Sequence, residues 1–344
     1  MDLKIRVENV GYYHCDRDLS ATLVSSPTTQ LKELNGFTDY LKHSIRRLPA
    51  CKLNVKIPNR EFPEHQMESL LDYFSQMPSD SSKPDFVTTK DLLKSITSLE
   101  THHIHICRVS GVIFLLKMDP VDRNQQKIEE IFNHFMTRKS ENEQIQVNSE
   151  EKGVWKAGFF KSADQKKPTY SILYSGKLDG VTKTAKGNLR HYELGVSYGG
   201  TESDSFWWNQ SCGLFWKAFF GGSPTVIVGA RTGDTVYRKK FEKEGEEKPL
   251  IVTYPKNSIY EIKELSRDEL PTLAVSANHR PLWTIADGKK NLFEFLKLVK
   301  SHAKRDGDCF VVSRIPGSQK WNFKKDFVAV ASFREAIQRS IPNL

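Results

Sequence analysis

Two carboxylates in the middle of the chain are spaced as candidate metal ligands. Asp179 ends an apolar stretch typical of a β-strand, and Glu193 lies inside the next such stretch, fourteen residues further on. A hairpin of these strands would place both carboxylates near one sheet edge, where oxygen ligands can hold a divalent ion. The backbone carbonyl of Leu194 is placed to add a further ligand. Two acids on neighbouring strands are also common on solvated sheets, so the pair alone leaves both interpretations open.

The segment after the second acid gives this pair a context. Residues 205–220 are rich in Phe and Trp at helical spacing and end at a Gly-Gly-Ser-Pro stop at 221–224. We expect most of these aromatic residues to be core residues rather than base-stacking ones, with Trp207 or Trp208 the more exposed. A β-branched strand that ends in Gly-Ala-Arg follows at 225–231.

Between residues 170 and 231 the chain resembles the DXO family of RNA decapping exonucleases. Members of that family carry, in order, G-x-x-x-E, E-x-D and E-x-K motifs, an aromatic helix with a Gln, and a G-x-R. Here residues 176–179 match the second motif, 193–195 the third and 229–231 the last. The resemblance extends upstream, in less detail, to about residue 86.

This resemblance implies both a fold and a substrate. The fold is α+β: two mixed β-sheets flanked by helices, with the active-site cleft between the sheets, related to the PD-(D/E)xK-type nuclease core. With no break in composition, we expect a single domain over 1–344 with its motif-bearing core at about 86–231. The implied substrate is RNA with a 5′ triphosphate, an incomplete cap or an NAD cap. Family members cut it at the 5′ end and then degrade it 5′→3′ with Mg²⁺ or Mn²⁺.

Only some of the family's site positions are preserved. Asp179 of E-x-D, Glu193 of E-x-K and Arg231 of G-x-R are retained. Elsewhere the chain has a different residue type: Lys177 at the first acid of E-x-D, Gly195 at the Lys of E-x-K, Lys217 at the helical Gln, Arg138 at the upstream Glu and Lys90 at the early Arg. Two acids and one neutral residue are thus replaced by cations.

These replacements predict a site that holds metal poorly and phosphate well. An ammonium about 4 Å from a like unit charge costs roughly 4 kcal/mol at an effective dielectric constant near 20, and a divalent ion doubles that cost. We therefore expect no cofactor, or Mg²⁺ or Mn²⁺ held weakly by Asp179, Glu193 and the Leu194 carbonyl. The candidate ligands for RNA phosphates are the cations Lys177, Lys183, Lys186, Arg190, Lys217 and Arg231.

The composition favours a polyanionic partner and excludes several classes of protein. Lys and Arg number 51 against 42 Asp and Glu, a net charge of +9, and we expect part of this excess inside the cleft. The sequence has no P-loop, dinucleotide-binding glycine motif or nucleophile elbow. It has no apolar run of the ~20 residues that a membrane helix needs, and no signal-peptide core at its N-terminus. We expect an intracellular protein, nuclear or cytoplasmic, with no membrane partner.

Apolar periodicity predicts the main elements. Helices are expected at 66–77, 122–139, 205–220 and 291–304. Strands are expected at 104–107, 112–117, 170–178, 190–196, 225–228, 309–314 and 327–331, with an amphipathic edge strand at 320–325.

Three functions remain open on the sequence alone. The first is a protein that binds RNA 5′ ends, without DNA specificity and without cutting them. A 5′→3′ exoribonuclease or another RNA-decay protein is its candidate partner. The second is an active metal-dependent decapping hydrolase and 5′→3′ exoribonuclease that uses Asp179 and Glu193. The third is a protein-interaction module with no RNA role.

Overall fold

The computed structural model describes residues 3–29, 31, 51–53, 67–77, 83–98, 100, 103–118, 123–137, 150–162, 165–241, 250–278, 283–314 and 320–341. Its strands are β1 (Lys4–Cys15), β2 (Ala21–Val24), β3 (Cys51–Lys52), β4 (Phe86–Thr89), β5 (His103–Val109), β6 (Val112–Lys117), β7 (Glu150–Phe160), β8 (Tyr170–Lys177), β9 (Gly180–Lys183), β10 (Leu189–Tyr198), β11 (Thr225–Arg231), β12 (Tyr237–Phe241), β13 (Leu250–Tyr254), β14 (Ser258–Ser266), β15 (Cys309–Arg314) and β16 (Trp321–Lys325).

Seven α-helices lie in the described part of the chain. They are α1 (Glu68–Ser75), α2 (Lys90–Thr97), α3 (Arg123–Thr137), α4 (Ser211–Phe220), α5 (Leu270–Asn278), α6 (Ile285–His302) and α7 (Ala331–Ser340). A π-helical turn at Phe206–Gln210 leads into α4, and short 3₁₀ turns lie at Gly200–Glu202 and Arg267–Glu269. None of the described helices is both long and apolar enough to span a lipid bilayer.

Nine strands form a mixed sheet in the order β16-β15-β5-β6-β4-β8-β7-β1-β2. Its centre is parallel, because β4 runs parallel to both β6 and β8, and the remaining pairs are antiparallel. The central strands are buried on both faces, which is why β6 is an almost continuous apolar run. The predicted edge strand at 320–325 is β16, at one margin of this sheet.

A second, five-stranded sheet has the order β3-β14-β11-β10-β9. Strands β10 and β11 are parallel neighbours, so the chain must cross over between them, and the π-turn and α4 form that crossover. The other pairs of this sheet are antiparallel, and β12 with β13 forms a separate two-stranded ribbon. The predicted α+β class with mixed sheets flanked by helices is confirmed.

Three apolar clusters show how the layers stack. Helices α2, α4 and α6 pack between the two sheets, where Trp155 of the large sheet and Val228 of the small sheet belong to one core. Helices α1 and α7 cover the opposite face of the large sheet, and α3 covers the opposite face of the small one. The aromatic residues of 205–220 are mostly core, as predicted, and Trp208 is the exposed one at 49%.

One predicted strand is wrong. Residues 327–330 form a turn and α7 begins at Ala331. Asp326 stabilises this turn, since its Oδ1 accepts the Ala329 N–H at 2.9 Å. The single helix predicted at 205–220 is also divided, because its first turn is π-helical.

Candidate functional site

The chain passes from the large sheet to the small one at Asp179. Strand β8 ends in the large sheet at Lys177, and β9 begins in the small sheet at Gly180. The hairpin of β9 and β10 pairs Gly180 with Tyr192, which brings Glu193 beside the crossing. The hairpin that brings the two acids together is therefore made by β9, because β8 pairs with β4 and β7 instead.

The two carboxylates are almost fully buried, with 3% of Asp179 and 2% of Glu193 exposed. Asp179 Oδ2 accepts the backbone N–H of Leu194 at 3.0 Å. Its Oδ1 accepts the side-chain amide of Asn133, on α3, at 3.1 Å. Asp179 thus accepts hydrogen bonds from β10 and from α3, in addition to its contacts with cations.

The ammonium of Lys217 lies between the two carboxylates. Its Nζ is 2.6 Å from Asp179 Oδ2 and 3.2 Å from Glu193 Oε2. It also donates to the Leu194 carbonyl at 3.4 Å. Lys217 thus donates hydrogen bonds to Asp179 and the Leu194 carbonyl, and its contact with Glu193 is an ion pair without a hydrogen bond. The burial of Phe215, Trp216 and Phe220 fixes the helix α4 that carries this lysine.

A second ammonium contacts the other carboxylate oxygen of Glu193. Lys90 is the first residue of α2, a helix capped by the Thr89 hydroxyl. Its Nζ lies 2.5 Å from Glu193 Oε1 and donates to the Lys177 carbonyl at 3.0 Å. Lys90 therefore connects a strand of each sheet. Lys90, Asp179, Glu193 and Lys217 form a buried ion-pair cluster, here called the quartet, with two positive and two negative charges.

Glu193 is held against the glycine turn after α4. A Cβ added at Gly221 would overlap Glu193 Oε1, so this turn accepts no larger residue without a shift. The Gly221 carbonyl contacts His191 Nδ1 at 3.1 Å, and Tyr12 OH contacts the other ring nitrogen at 2.9 Å. Lys90 Nζ also lies 5.3 Å above the ring of Trp155, at cation–π distance.

Burial and charge act on the quartet in opposite directions. Burial raises the pKa of Asp179, but the Lys217 and Lys90 ammoniums and the Leu194 N–H outweigh it and hold that pKa well below its usual range. Burial raises the pKa of Glu193 to about 7, against the effect of both ammoniums, and Asp179 adds to the rise. Burial lowers the pKa of Lys217, but Asp179 and Glu193 outweigh it and raise that pKa.

No protein-family model matches the chain, and no curated protein matches it in sequence. Solved structures match it over almost its whole length. Mutant S. pombe Rai1 in complex with 3′-FADP has a TM-score of 0.65 at 15% identity, with 95% of this chain and 100% of that one covered. Candida albicans Rai1 in complex with pU5-Mn²⁺ has a TM-score of 0.64 at 12% identity, with 98% and 95% covered. K. lactis Dxo1 in complex with manganese has a TM-score of 0.60 at 10% identity, with 93% and 89% covered.

The chain has the Rai1/Dxo1 fold. The resemblance predicted from residues 170–231 is thereby confirmed for the fold, and it extends across nearly the whole chain. In this Rai1/Dxo1 fold the quartet occupies the region between the two sheets, at the crossing from β8 to β9.

Lys177 and Gly195, two other replaced positions, lie outside the quartet's side-chain contacts. The Lys177 side chain points to Glu150, with 3.6 Å between Nζ and Oε1, and only its carbonyl reaches Lys90. A Cβ at Gly195 would meet the Leu214 side chain at 3.2 Å. Arg138 lies outside the described residues.

The other predicted phosphate ligands lie at the two ends of the five-stranded sheet. Lys183 and Lys186 are exposed on the turn between β9 and β10. Arg190, beside them, donates to Thr225 Oγ1 at 2.5 Å and lies 3.9 Å from Glu264. Arg231 lies at the far end of β11, with its guanidinium 5.9 Å from the ring centre of Tyr198.

Arg231 is distant from the quartet along its strand. Val226 is the register partner of Glu193, and Arg231 follows it five residues later. At about 3.3 Å per residue this separation is roughly 16 Å. Of the predicted site residues, the structure thus brings Lys90, Asp179, Glu193, Leu194 and Lys217 together, and places the basic turn and Arg231 apart from them.

Four neighbours of the quartet were not identified from the sequence: Tyr12, Asn133, Trp155 and His191. His191 is two residues before Glu193 and was available as a signal, since alternate residues of a strand share a face. Asn133 belongs to the predicted helix at 122–139, where the sequence singles out only the apolar residues and Arg138, the position of the family's Glu. Tyr12 and Trp155 come from β1 and β7, which no motif connects to the acids.

The quartet does not fit a divalent metal as it stands. Among the described residues there is no group of three or more His, Cys, Asp or Glu side chains that could hold a metal ion. The Lys217 ammonium contacts the two carboxylates that would have to bind the ion. A divalent ion about 4 Å from that ammonium would be repelled by roughly 8 kcal/mol at an effective dielectric constant near 20.

Proposed function

We propose that this chain binds the 5′ ends of RNA and does not cleave them. The observation that carries the proposal is the position of the Lys217 ammonium, 2.6 Å from Asp179 and 3.2 Å from Glu193. Metal-dependent phosphodiester cleavage needs ions that activate water and balance the charge of the scissile phosphate. Here both carboxylates are already neutralised by lysines of the same chain, so the charge that would attract the ions is absent.

The ligands of the structural neighbours support RNA as the partner. Candida albicans Rai1 was solved with pU5-Mn²⁺, and S. pombe Rai1 with 3′-FADP. Both structures match this chain over more than nine-tenths of its length. The proposed ligands are accordingly RNAs with a 5′ triphosphate, an incomplete cap or an NAD cap.

The phosphate contacts in this proposal come from exposed cations rather than from the quartet. The Lys217 ammonium is already engaged by hydrogen bonds to Asp179 and the Leu194 carbonyl and by an ion pair with Glu193. Lys183 and Lys186 lie on the solvent side of the β9–β10 turn, where a phosphate chain can reach them. Such contacts release counterions and so make binding depend steeply on salt.

One experiment measures binding and cleavage together. Purified full-length protein is incubated at low salt with 5′-triphosphate, unmethylated-capped and NAD-capped RNA in Mn²⁺. Bound fraction and product are then measured in the same samples, with a DNA oligonucleotide of the same sequence as competitor. We expect RNA binding that DNA does not compete away, and no product above that of a protein-free control.

The outcomes separate the three functions. Product that disappears in Asp179→Asn and Glu193→Gln variants would establish the metal-dependent hydrolase and refute the proposal. Product that persists in both variants would indicate a contaminating nuclease. Absence of binding to every RNA would leave the protein-interaction module.

A protein that holds a 5′ end without cutting it also shields that end. We infer a 5′→3′ exoribonuclease, or another RNA-decay protein, as the enzyme with which it would compete or cooperate. A purified 5′→3′ exoribonuclease, supplied with a pyrophosphohydrolase that converts 5′ triphosphates to monophosphates, should degrade 5′-triphosphate RNA more slowly as this protein is added. Unchanged degradation at protein concentrations that bind the RNA would contradict this role.

A further inference from the structure

The quartet contains as much positive charge as one divalent ion. Lys90 and Lys217 contribute one charge each, and Asp179 and Glu193 balance them. Lys90 contacts only one carboxylate, through Glu193 Oε1, whereas Lys217 contacts both. A cation that joins two carboxylates in this way has the position of a bridging metal ion.

We propose that Lys217 is a tethered cation that takes the place of a divalent ion between Asp179 and Glu193, so that removing its ammonium converts this pair into a divalent-cation site. The inference holds whether or not the chain binds RNA, because it concerns only what balances the buried carboxylates. The quartet does not fit a divalent ion, as described above, and the proposal assigns the cause to Lys217.

The atoms around the ammonium are suitable ligands for a hard cation. Asp179 Oδ2, Glu193 Oε2 and the Leu194 carbonyl oxygen all lie within 3.4 Å of Lys217 Nζ. Divalent ions such as Mg²⁺ and Mn²⁺ bind carboxylate and carbonyl oxygens, and water can complete the coordination. Removal of the ammonium would leave these three oxygens directed at one position.

An unsatisfied oxygen supports this assignment independently. Glu193 Oε2 is buried and accepts no hydrogen bond, so the nearby charge of Lys217 is what compensates it. Asn133 Oδ1, on the amide that donates to Asp179, is also buried without a hydrogen-bond partner. Buried acceptors of this kind are costly unless a cation or donor is near them.

Because Lys217 is part of the chain, Asp179 and Glu193 need no metal ion to balance their charge. Lys217 belongs to a helix whose aromatic side chains are packed in the core, so its ammonium is held in place by folding itself. A free ion would instead have to be bound from solution against the repulsion of Lys90. The Lys217 ammonium therefore compensates the charge of Asp179 and Glu193 at any metal concentration.

The test uses the full chain and Mn²⁺ alone as the probe. Binding is measured from the electron paramagnetic resonance signal of free Mn²⁺, and the melting temperature is measured in EDTA and in Mn²⁺. Wild-type protein should bind no Mn²⁺ and melt at one temperature in both conditions. Lys217→Gln should melt at a lower temperature than wild type in EDTA and regain melting temperature in Mn²⁺. It should bind one equivalent of Mn²⁺, at least roughly tenfold more tightly than the detection limit that bounds the wild-type affinity.

Matched variants assign the effect to the quartet. Lys217→Arg keeps the cation and should stay insensitive to Mn²⁺. Lys217→Gln combined with Asp179→Asn should lose the gained Mn²⁺ binding. Lys217→Gln combined with Lys90→Met should bind Mn²⁺ more tightly than Lys217→Gln alone, because one more repelling charge is removed.

Two results would overturn the inference. One is a wild-type protein that binds Mn²⁺ as tightly as Lys217→Gln does. The other is a folded Lys217→Gln that gains no Mn²⁺ binding. If Lys217→Gln does not fold, Lys217→Met, which keeps most of the aliphatic stem, replaces it, and the wild-type measurement still decides whether the cation position excludes metal.

Discussion

Lysines lie at both ends of the β9–β10 region, in opposite settings. At the crossing from the large sheet, Lys90 and Lys217 are ion-paired with Asp179 and Glu193 in the buried quartet. At the turn of the hairpin, Lys183 and Lys186 are exposed to solvent. The same residue type is thus used once to balance acids and once on a surface that a polyanion can reach.

This difference locates the positive charge that is available to a partner. The sequence led us to expect part of the +9 excess inside the cleft, but the two ammoniums of the quartet face two carboxylates, so the quartet carries no net charge once Glu193 is ionised. Its cations are held by carboxylates a few ångströms away, whereas cations on the turn keep their field in solvent. Charge in a sequence therefore indicates a phosphate site only when the acids around each cation are known.

The largest effect should come from breaking the quartet at Glu193. Glu193→Gln keeps the shape that fits against Gly221 but leaves two buried ammoniums with one carboxylate. Removal of one partner from a buried ion pair costs about 3–5 kcal/mol, and we expect a loss of stability of that size in urea denaturation. Glu264→Gln, which removes an exposed acid 3.9 Å from Arg190, should cost less than about 1 kcal/mol. Equal losses would mean that the buried setting has no special role.

A steric change should disturb the same cluster without altering its charge. Gly221→Ala would place a methyl group against Glu193 Oε1, and we expect it to destabilise the protein by about 1–3 kcal/mol. Gly195→Ala, whose methyl would meet only the flexible Leu214 side chain, should change stability by less than about 1 kcal/mol. Denaturation midpoints of both variants check this contrast. A Gly221→Ala protein as stable as wild type would show that Glu193 can move freely.

The hydrogen bond at the border of the quartet should matter less. Tyr12→Phe removes the hydroxyl that contacts His191 at 2.9 Å, and should lower stability by about 1 kcal/mol. Tyr198→Phe serves as a control because its side chain is exposed, and no measurable change in melting temperature is expected. A Tyr12→Phe protein as stable as wild type would show that the contact between Tyr12 and His191 adds nothing to stability.

The smallest effect on stability should come from the turn. The double variant Lys183→Ser and Lys186→Ser should stay within about 0.5 kcal/mol of wild type. Its RNA affinity should nevertheless fall, and the slope of log K against log salt should decrease by about 1.4, or about 0.7 for each lost phosphate contact. Lys297→Ser with Lys324→Ser removes the same charge elsewhere on the surface. An equal fall in affinity in that control would mean that only net charge matters.

The sequence predicts the strongly patterned elements well. The β5–β6 hairpin, β8, β10, β11, β15 and four helices follow from apolar periodicity, and the Gly-Gly stop after α4 follows from turn chemistry. Strands β1 and β7 were missed because charged residues interrupt them, although they pair along eleven register positions. Pairing between strands so far apart in sequence leaves no local signal.

The two lysines of the candidate site were predicted through a resemblance rather than through geometry. Asp179 and Glu193 were first singled out as two acids on neighbouring strands, and the motif alignment supported them and added Lys217 and Lys90. The structure brings these four residues together. What no alignment contains is the direction of each side chain. Lys177 and Lys217 looked alike in sequence, yet one points to Glu150 and the other bridges the carboxylates.

The order of strands in the large sheet also determines when its strands can pair during synthesis. Strand β15 pairs with β5 through Cys309 and Cys107, which are 202 residues apart. At about 5–20 residues per second, a ribosome needs roughly 10–40 s to make the chain between them. During that interval β5 and β6 can form their hairpin, but the other edge of β5 has no partner. A newly made chain therefore carries an open strand edge until its last strands emerge, and this is the period in which it would depend most on a chaperone.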